Sequence, residues 1–169
     1  RAFLGGFIEH MKERGEDHKC WYHVSDEPIA EHFEQYKKVR DSIYDLVGDY
    51  ETLDAISHYE FYEKGLSKNP VPKTMVVHEF FDKGAKDIWT YYCGGQCDKV
   101  SNCHFAMELS RVRCLGTQMF KYNTQGFLHW GYNYYNNQYS YGKINPFMCT
   151  DGDYFGQGGD AFSVYPGRG

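Results

Sequence analysis

The sequence predicts an α/β fold, the C-terminal part of a (β/α)8 barrel with about five of its strands, and three observations predict it. Short β-branched or aromatic runs alternate with segments of helical period, the order expected of a parallel sheet with crossover helices. No Gly-rich phosphate loop follows any strand, which sets aside the dinucleotide and P-loop folds. Polar and aromatic residues gather where strands end, at Asp26-Glu27, His58-Tyr59, Tyr91-Tyr92 and Tyr132-Asn133. In a barrel those ends converge on the active-site face. An open doubly wound sheet fits the same pattern and puts function on the same edge. A whole barrel needs about 250 residues, so 169 residues imply a single, partial barrel domain.

The elements follow in order. Phe3, Phe7 and Met11 recur four apart ahead of Gly15, which predicts a helix over Phe3–Arg14 with a glycine cap. Lys19–Ser25 is short, aromatic and β-branched, a buried strand that ends at Asp26-Glu27-Pro28. Proline suits a first helical turn, and Phe33, Tyr36, Val39 (or Arg40), Ile43 and Val47 then form the clearest helical stripe, stopped by Gly48. Leu53–Ser57 is a short strand, followed by a Tyr-rich turn and the loop SKNPVP. Thr74–Asp82 is a short helix, and Asp87–Cys93 a strong strand. Phe105, Leu109, Val112, Leu115 and Met119 mark another helix, and Phe127–Tyr132 a fourth strand. After a long aperiodic segment, Ala161–Tyr165 is the last strand.

Composition narrows the function. With 16 Tyr, 12 Phe and 3 Trp, the chain has more aromatics than its periodic elements can bury. Flat amphipathic rings outside a core line ligand sites or interfaces, and sugars present apolar C–H faces edged with hydroxyls. A net charge of −5 argues against nucleic acid, whose binding rests on phosphate neutralisation. No apolar run approaches the roughly 18 residues that read as a membrane span. The N-terminal stretch is too charged for a signal peptide; the compartment stays open, with the cytoplasm favoured. Cys93, Cys97, Cys103 and His104 invite a zinc reading, but their spacing fits no usual Cys-x-x-Cys pattern, so no metal or cofactor is expected.

Asp26 and Glu27 are the candidate catalytic pair. Adjacent side chains on a pleated strand point to opposite sides, so both reach one pocket only where the pleat breaks down. Carboxylates held close titrate unequally, which supplies the acid and the anion that glycosidic cleavage needs. The competing reading is N-terminal helix chemistry, acidic groups at the positive end of a helix dipole. His23 lies upstream on the same strand, and Trp21, Trp89 and Trp130 fall on three different strands, as core filling or as a floor under a sugar ring.

The stretches WYHVSDEP, DIWTYYCGGQ, GFLHWGYNYYNNQYSYGKINPF and GDAFSVYPG resemble the catalytic domain of glycoside hydrolase family 123. They are closer still to its uncharacterised branch, domain of unknown function 4091. The resemblance runs from about Gly15 to Gly167. It implies a TIM barrel whose fourth to eighth strands these are, a chain truncated at both ends, and removal of terminal N-acetylgalactosamine with retention. The substrate's own acetamido oxygen would be the nucleophile, Glu27 the general acid and base, and Asp26 the group orienting the acetamido. Weaker carry-overs place Tyr91 or Tyr92 on the acetamido carbonyl. Trp130, His129, Tyr132 and Asn133 would form the base of the sugar pocket, with Asp160 and Tyr165 on ring hydroxyls. The uncharacterised branch need not share the acetamido-sugar specificity, so a different sugar or a non-catalytic carbohydrate-binding domain are the rivals. A barrel lacking strands leaves open edges, so self-association is also expected.

Overall fold

In the computed structural model, which describes residues 1–96 and 100–167, the chain forms two compact units, Arg1–Trp89 and Thr90–Gly169. In the first, helix α1 spans Ala2–Glu13 and ends as expected, with Gly15 left-handed at φ 65°. Its buried row is Leu4 and Ile8 rather than the predicted Phe3 and Phe7. Both rows repeat every four residues, and the Phe pair instead stacks on itself outside the core at 6.4 Å.

Strand β1 is only Trp21–Tyr22, and helix α2 runs Phe33–Val47 behind a 3-10 turn at Ala30–His32. Strands β2 (Glu51–Asp54) and β3 (Asn69–Pro70) complete a parallel sheet of order β1-β2-β3. The short helices α3 (Glu60–Glu63) and α4 (Val77–Asp82) follow β2 and β3. Strand β3 lies in the segment expected to be a loop. Proline lacks a ladder donor and is confined to sheet edges and strand starts, and Pro70 sits on the edge strand of this sheet. The helix layer packs on one face through Ile8, Tyr22 and Val47, and through Tyr36, Ile56, Phe61 and Leu66. No described helix is long and apolar enough to cross a membrane.

In the second unit, β4 (Trp89–Tyr91, whose first residue closes the first unit) pairs with β5 (Gly126–Leu128), and α5 spans Leu109–Lys121. The predicted stripe of α5 is present in sequence, yet none of its residues is buried. The expected strand Ala161–Tyr165 is reduced to a single antiparallel bridge between Asn133 and Phe162. Its neighbour is the irregular segment after β5, joined to it by Tyr134 N–H to Ala161 O (3.2 Å), Ser163 N–H to Tyr132 O (2.9 Å) and the Tyr135 hydroxyl to Val164 O (2.8 Å). Cys20, Cys93, Cys103, Cys114 and Cys149 form no disulfide, and Cys97 lies outside the described residues.

Candidate active site

The predicted strand over Lys19–Ser25 is cut short at both ends, and the causes build the site. Asp17–Lys19 winds into a 3-10 turn before it. Beyond Tyr22 the backbone donors leave the ladder. Val24 N–H and Ser25 N–H both donate to Oδ1 of Asp54, at 2.7 and 3.0 Å. Asp54 closes β2 and is wholly buried. The Tyr36 hydroxyl on α2 donates to its Oδ2 at 2.8 Å, and the His23 ring places Nδ1 2.9 Å from Oδ1. A buried carboxylate is tolerable only when hydrogen-bonded in this way. The bond to Asp54 raises the His23 imidazole from its ordinary 6.5 to about 9, with burial opposing and the charge of Asp26 adding a smaller push. Burial and the same carboxylate push the Tyr36 hydroxyl upward.

Asp26 and Glu27 follow this turn, both exposed. Glu27 has a left-handed backbone, φ 41°, a conformation that costs a non-glycine residue roughly 1–2 kcal/mol. It breaks the alternation that would otherwise send neighbouring side chains to opposite faces. Lys73, three residues past Pro70, brings Nζ to 3.4 Å from Glu27 Oε2, while its N–H donates to Ser57 Oγ at 3.1 Å. Neither acid caps a helix: the caps of the 3-10 turn and of α2 are Ile29 and His32, without side-chain bonds. Pro28 therefore stands outside the helix it was expected to open. A hollow of about 380 Å3 beyond the end of β2 is lined by Ser57, His58, Tyr59, Glu60, Glu63, Glu79 and Lys83, but not by Asp26 or Glu27.

The remaining predicted residues divide between the units. Trp89 in the first sets its ring 5.2 Å from that of Trp21, and Trp21 is 45% exposed, so this pair does not fill a core. In the second unit Asp160 is buried, with Oδ1 3.2 Å from His104 Nε2 and Oδ2 accepting from Trp130 Nε1 at 3.2 Å. Tyr92 is buried against His104, Phe127 and His129, and burial raises its hydroxyl. Tyr91 is buried as well, whereas Trp130 is 44% exposed and braced by Tyr134 and Phe155. His129 has both ring nitrogens shielded and without a hydrogen-bond partner among the described residues. Tyr132 and Asn133 are exposed, and Tyr165 packs on Phe147 and Phe162. Asp160, Trp130, Tyr92 and His129 thus form one neighbourhood, joined through His104; Tyr132, Asn133 and Tyr165 meet the segment that follows Asp160, at Ser163 and Phe162.

Sequence reasoning missed Asp54 and Lys73 as site residues. The signal for Asp54 was a lone acid inside the apolar run LDAIS, since buried charges are rare unless paired. Lys73 was hidden because the strand before it contains a proline.

An acidic pair on a turn at the carboxyl edge of a parallel sheet defines a candidate hydrolytic centre, in the position where α/β folds place their chemistry. The whole chain, residues 1–169, matches the model of the glycoside hydrolase 123 catalytic domain, and the protein belongs to that family of glycoside hydrolases. No curated protein matches it.

Proposed function

We propose that the protein removes terminal N-acetylgalactosamine from a glycan with retention, in a domain that is part of an eight-stranded barrel. The observation that carries this reading is the left-handed Glu27 directly after Asp26 at the end of β1. Strained backbone persists only where surroundings hold it, and it clusters at functional sites. The surroundings here are the Asp54 bonds ahead of the pair and the Lys73 ammonium beside it. The barrel reading draws on β1, β2 and β3 lying parallel in chain order, with helices between them.

In this mechanism Glu27 gives its proton to the glycosidic oxygen as the C1–O bond breaks. The acetamido oxygen of the sugar closes on C1, and Asp26 accepts a hydrogen bond from the acetamido N–H. Glu27, now a base, takes a proton from the water that reopens the ring, which regenerates the acid. This is a substrate-assisted variant of the two-carboxylate scheme. In the same unit as the acidic pair, the partly exposed Trp21–Trp89 pair supplies flat apolar surface for a sugar face.

The test is Glu27→Gln in the full-length protein, assayed on a natural N-acetylgalactosaminide and on an activated aryl one. The acid's loss is expected to cut turnover of the natural glycoside by about 10²–10⁴-fold, and of the activated one by less. Undiminished turnover of the natural glycoside by this variant sinks the assignment. A thiazoline mimic of the cyclised intermediate separates this reading from its rivals, because only an acetamido-assisted enzyme should bind it tightly.

A further inference from the structure

The proposed chemistry uses Asp26 and Glu27 but leaves the most deeply buried acid of the first unit without a role. Asp54 faces α2 across the sheet, in a layer otherwise made of Tyr36, Ile56, Phe61 and Leu66. An apolar side chain would suit that position without any cost of desolvating a charge. Strand β1 could also continue along β2 by ordinary backbone bonds. The carboxylate instead captures two consecutive backbone N–H groups, at Val24 and Ser25, which no regular ladder would send to one neighbour, immediately ahead of the acidic pair. It holds the ring of His23 by Nδ1, and that nitrogen lies 3.2 Å from Leu53 O as well. The rest of the His23 side chain stays half exposed, on the turn that carries Asp26.

We propose that Asp54 is a positioning residue for the reaction, acting through His23 and the Val24–Ser25 backbone to hold the turn that presents Asp26 and Glu27. The proposal rests on the glycosidase reading above. Two acids act on the His23 ring, Asp54 from β2 and Asp26 from its own turn, and α2 contributes Tyr36, which engages the far oxygen of Asp54. The ring is therefore held to the latch by Nδ1, with the charge of Asp26 adding a smaller pull. Loss of the latch should free the turn while leaving the helix layer in place.

Asp54→Asn is the direct test, because it is isosteric. Its amide oxygen can still accept from backbone N–H groups, and its amide nitrogen can donate to the Tyr36 hydroxyl, but the charge that holds His23 is gone. His23 is followed by NMR titration. It should titrate near 9 in the native protein and fall toward the free value of about 6.5 in the variant. The amide resonances of Asp26 and Glu27 should shift with it. Turnover of a glycoside that the native protein cleaves is expected to drop by about 10²-fold, the scale of a small misplacement of reacting groups. KM should change little, since positioning acts on the chemical step. His23→Gln, at a half-exposed side chain, gives a second reading if Asp54→Asn does not fold, and it too should lower kcat.

A folded Asp54→Asn or His23→Gln protein with native kcat overturns the proposal, as does native His23 titrating near 6.5. If the native protein cleaves no glycoside at all, the glycosidase reading fails. The His23 titration and the Asp26 and Glu27 amide shifts then still decide whether Asp54 holds the turn.

Discussion

His23 carries a consequence for stability as well as for the site. The bond to Asp54 pushes its imidazole up to about 9 from an ordinary 6.5, so folding favours the protonated ring. The stabilisation is complete below about 6.5, the unfolded value, and is lost as pH rises through the folded value. The ring is half exposed, and solvent screening keeps the effect modest. The melting temperature of the native protein is therefore expected to decline between pH 6.5 and 9, and this part of the decline should vanish in His23→Gln. Parallel melting curves of the two proteins across that window check it; identical slopes would show that the pair with Asp54 contributes nothing. Glu27 illustrates a different residue-scale cost. Its backbone is one that glycine would adopt freely, yet a glutamate occupies it, as Asp87, Asn123, Tyr139, Ser140, Asp153 and Tyr154 occupy theirs; Glu27→Gly is therefore expected to relieve strain while removing the carboxylate.

At the scale of elements, the helices α1, α2 and α5 were legible because a 3.6-residue period repeats long enough to be unmistakable. The buried row of α1 was not, since Phe3–Phe7 and Leu4–Ile8 carry the same spacing and only packing against Tyr22 and Val47 separates them. Strands were only partly legible: β3 lies where a loop was expected, Ala161–Tyr165 forms a bridge in place of a strand, and β1 stops where a side-chain carboxylate about 30 residues away in sequence accepts from the Val24 and Ser25 N–H groups. No local pattern encodes that. The acidic pair itself was readable from the strand-end dipeptide, whereas its supports, Asp54 at the end of β2 and Lys73 beyond β3, come near only through the fold. Gly131 shows the same dependence on tertiary contact. A Cβ placed on it would meet Ala161 O at 2.5 Å and Asp160 O at 2.7 Å, so the chain after Trp130 passes against the 160–161 backbone with no room for a side chain. Gly131→Ala is expected to destabilise by about 1–3 kcal/mol, the usual range for overpacking. It should also loosen the Trp130–Asp160 bond, seen as a change in Trp130 fluorescence. An unchanged melting temperature would mean that the 160s segment is free to retreat.

At the scale of the whole molecule, the family assignment spans both units, and the first unit shows what each still needs. Parallel sheets are normally covered on both faces. Here α1 and α2 cover the face that carries Tyr22, while Trp21, which must point the other way, remains 45% exposed with Trp89 beside it. The strands β1 and β3 are also the edges of their three-stranded sheet, and unpaired edges template pairing with other chains. An open aromatic face bounded by open edges should draw a second copy at high concentration. Light scattering of the 169-residue chain is expected to give masses above 19.8 kDa that fall on dilution. Trp21→Lys, which sets a charge on the open face without touching the helix layer, should shift the balance toward monomer. A chain that stays at 19.8 kDa throughout, and cleaves its substrate in that state, would mean that this face and these edges are already satisfied within one molecule, and the partial-barrel reading would fall with them.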